Sequence, residues 1–407
     1  MAEYKIYRYR WVVLAIYMYV AALTQLYWLN FAAIETYIEE LLDIPASSVM
    51  WFTLVFPLIQ VLFTMPAGII IDKKGFKYGI GIGVLFTGIF AMLRLLNPAS
   101  FAVLLISQIG ISIGQPFVLN GITKLAVTWF PQKEEATAVG LGSLALFVGM
   151  MVALGATPVL VQTLGFESML LIYGAIGIVG ILLFFTLVKS KPQTPSREIE
   201  APEEISSWEG IKRILKVRDF VILGFIALIG IGVFNGLATW LEKILNELHR
   251  IPMTDAGSIS AVLIFSGMLG CIIIPIISDK IARRKPFLIL ASLIGAMSVT
   301  ALIFANGYGM NLVNGIVLGF FLISALPIML TMSTEITGAK FAGISVGYLQ
   351  FLGNAAAVVI VIVMEFLRSA TNQFVLPLAL LAILLGISFI LAILIKEPAR
   401  NISQSRL

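Results

Sequence analysis

The sequence predicts an all-α membrane protein whose twelve transmembrane helices form two pseudo-symmetric six-helix bundles. Three observations predict this fold class. Of the 407 residues, 59% are hydrophobic and only 12% are charged, whereas a soluble domain carries about a quarter charged residues. The apolar stretches recur along the whole chain with brief polar interruptions. One short motif occurs twice, at corresponding places in the two halves.

The apolar stretches are long enough to cross a bilayer as helices, since one crossing takes about 20 residues. Charged residues and Pro or Gly clusters divide them into twelve segments. These predicted spans lie near residues 11–40, 48–71, 77–97, 100–129, 135–163, 167–189, 219–248, 254–278, 286–306, 309–335, 341–368 and 372–395. The transmembrane bundle must therefore carry the function, because no room remains for a sizeable soluble domain.

The longest polar interval divides the spans six plus six and sets the predicted domains. Residues 1–190 form the first bundle, 191–218 a cytoplasmic linker, and 219–407 the second bundle with a short cytoplasmic tail. The linker begins with a Pro-, Ser- and Glu-rich stretch that predicts flexibility. Its second part, SWEGIKRILKVRD, places apolar residues on one helical face and basic residues opposite, which predicts an amphipathic helix along the membrane surface.

The distribution of basic residues predicts the orientation of the chain. With both termini cytoplasmic, 22 of the 27 Lys and Arg residues fall in cytoplasmic segments, as the positive-inside rule requires. We therefore expect a multi-pass protein of the cell membrane. The net charge of +5 follows from this topology and from contact with anionic lipid, so we expect the lipid bilayer and a small-molecule substrate as partners. We expect a monomer and no nucleic-acid partner.

The sequence excludes most metal, cofactor and enzyme chemistry. Cys271 is the one cysteine and His249 the one histidine, so neither a Cys-based zinc site nor a pair of His ligands is available. No Ser-His pair, His-Glu-x-x-His segment or paired midplane Asp residues occur. We therefore predict a protein that is not an enzyme and that carries no metal and no cofactor.

The repeated motif stands where the second span of each half ends. Its first copy is Gly68–Lys77 (GIIIDKKGFK), and the second is Pro275–Lys285 (PIISDKIARRK). A small residue permits close helix contact, an acid can pair with a basic group, and Gly75 permits a tight turn. Two copies in register indicate two six-helix repeats.

This pattern resembles the loop motif of the major facilitator superfamily, G-x-x-x-D-[RK]-x-G-[RK]-[RK], and the six-plus-six layout is similar to that fold over nearly the whole chain. Phe76, Pro275 and Ala282 depart from the motif. In that family the two halves rock about a midplane site and give alternating access. The resemblance implies a gate role for the motif residues; with their neighbours, the predicted gate residues are Gly68, Asp72, Lys73, Gly75, Lys124, Asp279 and Glu335.

A transporter site is expected to show as polar or aromatic side chains partway along the helices. Amides and aromatics predominate there. The candidate substrate-binding residues are Trp28, Asn30, Gln115, Asn235, Thr239, Trp240, Tyr348 and Gln350. An aromatic face attracts an ammonium group without a buried carboxylate, so a small polar or cationic organic solute is favoured. The sequence predicts an alternating-access secondary transporter with a central site between the two bundles.

Several alternatives remain open at this point. A proton-coupled exporter would use Glu335 or Glu35, although the absence of a carboxylate near a predicted helix centre favours facilitated or potential-driven transport. An organic-anion transporter would use Lys124 as its anchor. Lys124 is alternatively a residue that extends to the cytoplasm or pairs with Glu335 in a gate. A membrane receptor that binds without moving a solute is the candidate from another functional class.

Several segments are similar to the haem and choline transporter family named for the feline leukaemia virus subgroup C receptor. They are Tyr27–Phe31 (YWLNF), Gln115–Phe130 (QPFVLNGITKLAVTWF), Pro327 with Glu335, and Gln350–Gly353 (QFLG). By this resemblance Trp28, Gln115 and Gln350 line a central site in which an aromatic cage holds a choline-like amine. The family's cage tyrosine in span 7 aligns with Thr239, next to Trp240. Haem is disfavoured because the cavity would lack an axial His or Cys.

Overall fold

A computed structural model of the protein describes residues 6–194 and 207–398. Its α-helices are α1 (Arg10–Leu29), α2 (Glu35–Leu42), α3 (Ala46–Val49), α4 (Trp51–Lys74), α5 (Phe76–Leu93), α6 (Phe101–Trp129), α7 (Gln132–Leu164), α8 (Phe166–Leu187), α9 (Ser207–Ile214), α10 (Arg218–His249), α11 (Met253–Ile281), α12 (Lys285–Phe304), α13 (Gly307–Thr337), α14 (Ala342–Thr371) and α15 (Val375–Leu394). Within the described residues, twelve helices are long and apolar enough to cross a membrane. The predicted all-α fold with twelve spans is confirmed.

The first predicted span differs from the structure. The sequence predicts one helix over 11–40, but α1 ends at Leu29, a 3-10 turn covers Ala32–Ile34, and α2 begins at Glu35. A helix of 20 residues rises about 30 Å, the thickness of the hydrocarbon core. The chain is therefore free to leave the helix after Leu29, because a single helix already completes the crossing.

Contacts divide the described residues into two units. Unit 1 holds residues 6–194 together with Pro252–Ala261, and unit 2 holds residues 207–251 and 262–398. Between α8 and α10, where the sequence predicts the linker, residues 195–206 lie outside the described residues, as do 399–407 of the predicted tail. The predicted amphipathic segment contains α9, in which Gly210 meets Ile344 of α14 and Ile214 is buried in the core of unit 2.

The helices of the two units pair in the same pattern. In unit 1, α1 packs against α6, α7 and α8, and α5 packs against α6 and α8. In unit 2, α10 packs against α13, α14 and α15, and α12 packs against α13 and α15. The helices α1, α5, α6, α7 and α8 thus have counterparts six spans later, α10, α12, α13, α14 and α15, with equivalent partners. This correspondence is the structural basis of the repeat that the two motif copies predict.

Small residues let the helices of unit 1 approach closely, as expected in a bilayer. A Cβ on Gly83 of α5 would lie 2.6 Å from the carbonyl oxygen of Gly114 on α6. A Cβ on Gly149 of α7 would overlap the carbonyl oxygen of Ala22 on α1. The contacts of α5 with α6 and of α1 with α7 therefore require glycine at these positions, because a side chain would not fit.

Candidate functional site

The first motif copy forms the turn between α4 and α5. Gly75 alone separates these helices, at φ 87° and ψ 161°. The carboxylate of Asp72 lies 3.6 Å from Nζ of Lys124 on α6, and both side chains are substantially exposed, by 75% and 42%. A Cβ on Gly68 would just touch the side chain of Asn120 on α6. Asp72, Lys124 and Gly68 therefore lie where α4 and α6 meet, and the ion pair links the two helices.

Phe76, which departs from the motif, has a packing role. It is 2% exposed and belongs to the apolar core of unit 1. The basic residue of the family motif would place a charge at this buried position, at a large desolvation cost. Lys73 and Lys74 remain in the last turn of α4, where a basic charge interacts favourably with the helix dipole.

The second motif copy surrounds a buried arginine. The side chain of Arg284 is 5% exposed; its Nη2 lies 2.6 Å from the carboxylate of Asp279 and 3.1 Å from that of Glu335 on α13. Its Nη1 donates to Oγ of Ser278 at 2.9 Å. Asp279 and Glu335, two predicted gate residues, are thus brought together by a third residue that the sequence analysis did not select.

Glu397 completes this cluster from a segment distant in sequence. Its carboxylate accepts the backbone N–H of Arg284 and, at 3.0 Å, that of Lys285. Free N–H groups at a helix N-terminus bind carboxylates well, so Glu397 caps α12. In return, Nζ of Lys285 donates to the carbonyl of Ile393 near the end of α15 at 2.7 Å.

Two predicted substrate residues of unit 1 lie at the C-terminal end of α1. Trp28 is 7% exposed and Asn30 is fully buried. In the part of the chain that the structure describes, Nε1 of Trp28 and both polar atoms of the Asn30 side chain have no hydrogen-bond partner. Buried polar groups are normally paired, and an unpaired one is costly. Gln115, near the middle of α6, is also buried.

The predicted residues of unit 2 do not gather at one place. Tyr348 lies 6.1 Å from Phe220, ring to ring, near the start of α10, whereas Trp240 packs 5.6 Å from Phe374 near the end of α10. Twenty residues of helix separate Phe220 from Trp240, which corresponds to about 30 Å. A small solute in contact with one of these aromatic rings is out of reach of the other.

The remaining candidates of unit 2 are amide and hydroxyl side chains. Asn235 and Thr239 are buried on α10, and Nδ2 of Asn235 donates to the carbonyl of Ile231 at 2.8 Å. Gln350 is partly buried on α14, where its carbonyl accepts a hydrogen bond from Asn354 at 2.8 Å. Among the described residues, no group of three His, Cys, Asp or Glu side chains is arranged to hold a metal ion.

Comparison with known proteins identifies the family. The sequence profile of the Major Facilitator Superfamily matches residues 15–361. The chain belongs to the Major Facilitator Superfamily. It is 27% identical to an uncharacterized MFS-type transporter of Caenorhabditis elegans, over 98% of this chain and 72% of the relative. It is 26% identical to the choline/ethanolamine transporter FLVCR1 of Felis catus, over 96% of this chain and 73% of the relative.

A solved structure of this superfamily agrees with the fold. A bacterial homologue of the human lysosomal transporter Spinster, in an inward-facing and unoccupied conformation, matches with a TM-score of 0.76 at 17% identity. The match covers 96% of this chain and 97% of that one. The protein is therefore a multi-pass membrane transporter related to the choline/ethanolamine transporters, and its relatives are transporters rather than enzymes.

In this MFS transporter, one buried charge and one partly buried charge cluster were not predicted from the sequence as candidate sites. In unit 1, Arg94 is fully buried beside Gln108. In unit 2, Arg368 lies 2.7 Å from the carboxylate of Glu247 and 3.4 Å from that of Glu365. Arg94 and Arg368 each stand at the edge of an apolar span and outside the predicted cytoplasmic segments. The positive-inside rule does not explain a basic residue there, and this was the signal in the sequence.

Proposed function

We propose that this MFS transporter moves a small organic cation, with a choline-like amine as the first candidate, by alternating access. The observation that carries the proposal is the pair Trp28 and Asn30. Both are buried at the C-terminal end of α1 with polar atoms that no described residue satisfies. Side chains two positions apart on a helix point in nearly opposite directions, so Trp28 is proposed to hold the ammonium group and Asn30 to make a separate polar contact.

The chemistry of each side chain supports this substrate class. The face of a tryptophan attracts a quaternary ammonium by about 0.5–2 kcal/mol, and tryptophan is the strongest of the aromatic residues in this respect. The Asn30 amide offers two N–H donors and one oxygen acceptor, so it suits a hydroxyl or amine group. The relation to proteins named choline/ethanolamine transporters supports the same class.

From the remaining candidates we retain Gln115 in unit 1 and, in unit 2, either Asn235 with Thr239 or Gln350 as ligand-contacting residues, because Thr239 adjoins Trp240 and Gln350 lies two residues from Tyr348. Tyr348 and Trp240 are proposed only as alternatives to each other, because about 30 Å of α10 separates their surroundings. We assign both aromatics a packing role first, since each already faces another ring of unit 2.

We further propose that the two motif loops act as gate contacts and face the cytoplasm of a cell membrane. The Asp72–Lys124 pair and the cluster of Arg284 with Asp279 and Glu335 are the contacts that would change. The double variant Lys191→Cys, Cys271→Ala, which contains one cysteine, tests the orientation. A membrane-impermeant maleimide should label it only in inverted membrane vesicles, and labelling in intact cells would reverse the assignment.

The substrate proposal is tested first by binding. Purified protein should melt at a higher temperature with choline or ethanolamine present, because a ligand that binds the native state stabilises it. Trp28→Ala should abolish this shift. Trp51→Ala is the matched control, since Trp51 is a partly exposed tryptophan at the start of α4 in the same unit. Counterflow of radiolabelled choline in proteoliposomes then tests transport; binding without counterflow would indicate a receptor.

The alternatives make distinct predictions. An organic-anion transporter requires Lys124 to hold the substrate, but Lys124 already lies 3.6 Å from Asp72. Stabilisation by organic anions alone, lost in Lys124→Ala, would overturn the cation proposal. A proton-coupled exporter requires transport to follow an imposed pH gradient. Uptake that depends on membrane potential and not on the pH gradient would exclude that coupling.

A further inference from the structure

Arg94 occupies an unusual position in unit 1. It follows α5 directly, is fully buried, and donates one hydrogen bond from Nη2 to Oε1 of Gln108. Its guanidinium carbon lies 5.2 Å from the ring centre of Tyr27 and 5.1 Å from that of Phe31. Its Nε and Nη1 have no hydrogen-bond partner among the described residues. The charge is therefore held by two aromatic faces and a neutral amide.

Gln108 links Arg94 to the backbone of α1. Its amide nitrogen donates to the carbonyl oxygen of Tyr27 at 3.3 Å and to that of Phe52 on α4 at 2.9 Å. The last four carbonyls of a helix lack partners within the helix, and Tyr27 stands two residues before the end of α1. Gln108 therefore caps the C-terminal end of α1 and ties it to α4.

Tyr27 extends the network to the other helices of the unit. Its hydroxyl donates to the carbonyl of Tyr173 on α8 at 2.6 Å. The hydroxyl of Tyr173 in turn lies 2.7 Å from that of Thr157 on α7. Arg94 with Gln108, Tyr27, Tyr173 and Thr157 thus links α1, α4, α6, α7 and α8 with the end of α5, which are the six spans of unit 1.

This network fixes the rotation of the end of α1. Tyr27 and Phe31 stand four residues apart and so lie on one side of the chain, under the same cation. Trp28 and Asn30 stand between them and, since successive residues turn by about 100°, lie on either side of that face and point about 200° apart. We infer that Arg94 and Gln108 are positioning residues that hold Trp28 and Asn30 in the orientation in which they bind a ligand. The inference rests on the proposed function.

A purely structural role does not account for this choice of residue. A buried charge with one neutral partner is costly inside a membrane protein, and an apolar side chain would fill the same space without that cost. Arg10, at the other end of α1, shows the usual solution. It also lies over two rings, those of Trp11 and Phe130, but its charge is paired with Glu134 at 3.0 Å.

Three purified variants test the inference: Gln108→Leu, Arg94→Leu and, as the matched control, Arg10→Leu. Choline affinity is measured by calorimetry, and hydrogen exchange is followed in residues 27–35. Gln108→Leu and Arg94→Leu should weaken choline binding by about tenfold or more and speed exchange in that segment. In Gln108→Leu, the further change Trp28→Ala should add little, because coupled residues are not additive. Arg10→Leu should lower the melting temperature while choline affinity and exchange at 27–35 stay as in the wild type.

The outcomes separate this inference from the proposed function. If wild-type protein binds no choline or ethanolamine but exchange at 27–35 still rises in the variants, the substrate proposal fails and the positioning of α1 stands. If choline affinity is unchanged in folded Gln108→Leu, or if Trp28→Ala costs as much there as in the wild type, the inference is overturned. Gln108→Leu retains Arg94 on its aromatic faces, so it provides the test should Arg94→Leu not fold.

Discussion

Gly75 provides a stability prediction whose size follows from the structure. It joins α4 to α5 with φ 87° and ψ 161°, a backbone region that essentially only glycine adopts, at a cost of about 1–3 kcal/mol for other residues. A Cβ at Gly75 would meet no atom within 4 Å, so alanine adds no clash. Alanine also reduces the freedom of the unfolded chain by about 0.4–1 kcal/mol. We therefore expect Gly75→Ala to destabilise unit 1 by about 1–2 kcal/mol.

The second motif copy predicts the opposite sign. Ala282 occupies the position that corresponds to Gly75, and its φ is 55°. A left-handed backbone costs a non-glycine residue about 1–2 kcal/mol, and a glycine at this position would remove that cost. The greater freedom of glycine in the unfolded chain offsets about 0.4–1 kcal/mol of this stabilisation. Ala282→Gly should therefore stabilise unit 2 by about 0.5–1 kcal/mol.

Thermal melting of the purified protein measures both effects. For a unit of this size, 1 kcal/mol shifts the melting temperature by about 2–4 °C. Gly140→Ala is the control, because Gly140 lies inside α7 and a Cβ there would also meet no atom within 4 Å. Its helical backbone should let alanine stabilise by about 0.5–1 kcal/mol. If Gly75→Ala raises the melting temperature as Gly140→Ala does, the argument from positive φ is refuted.

The cluster around Arg284 gives two further predictions, both read by melting temperature. Glu397→Gln should destabilise by about 1 kcal/mol, because it weakens the cap on α12, whereas Lys396→Gln should be neutral since Lys396 is exposed and its hydrogen bond to Asp219 uses the backbone N–H. Arg284→Leu should cost about 3–5 kcal/mol, as expected when one partner of a buried charge cluster is removed. Arg283→Leu is the matched control, because Arg283 is the exposed neighbour of Arg284. An equal loss of stability in Arg283→Leu would contradict the interpretation that the buried Arg284 holds the cluster together.

The sequence predicts the twelve spans because the bilayer fixes the minimum length of an apolar helix and the position of its basic flanks. The end of α1 at Leu29 was missed because the residues that follow, Phe31–Ile34, are as apolar as the helix itself. Hydropathy reports where a chain is buried and carries no information on the break between two helices.

The site was predicted unevenly, for a related reason. Trp28 and Asn30 were selected as candidate substrate-binding residues; the structure buries both, and their role in binding stays a prediction. The contacts of Arg284 with Glu397 and of Arg94 with Gln108 could not be predicted, because Glu397 lies 113 residues from Arg284 and Gln108 is one of many amides in the spans. Tyr348 and Trp240 are both aromatic residues within apolar spans, so the sequence does not distinguish them. Only their packing against Phe220 and Phe374 shows that they lie far apart.

The two motif loops share a sequence pattern but hold their acids differently. Asp72 pairs with Lys124 of another span in an exposed contact, and such pairs contribute about 0–1 kcal/mol. Asp279 and Glu335 share the buried Arg284, so separating them from it leaves a buried charge without its partner.

A double-mutant cycle should therefore give a coupling below about 1 kcal/mol for Asp72→Asn with Lys124→Gln. The coupling for Glu335→Gln with Arg284→Leu should be larger, because charge pairs buried in low dielectric interact more strongly. If the Asp72–Lys124 contact opens during transport, Asp72→Asn should change the transport rate while the melting temperature stays nearly constant. Equal couplings in the two loops would show that burial of Arg284 does not strengthen its ion pairs, and the proposed division of roles between the loops would be wrong.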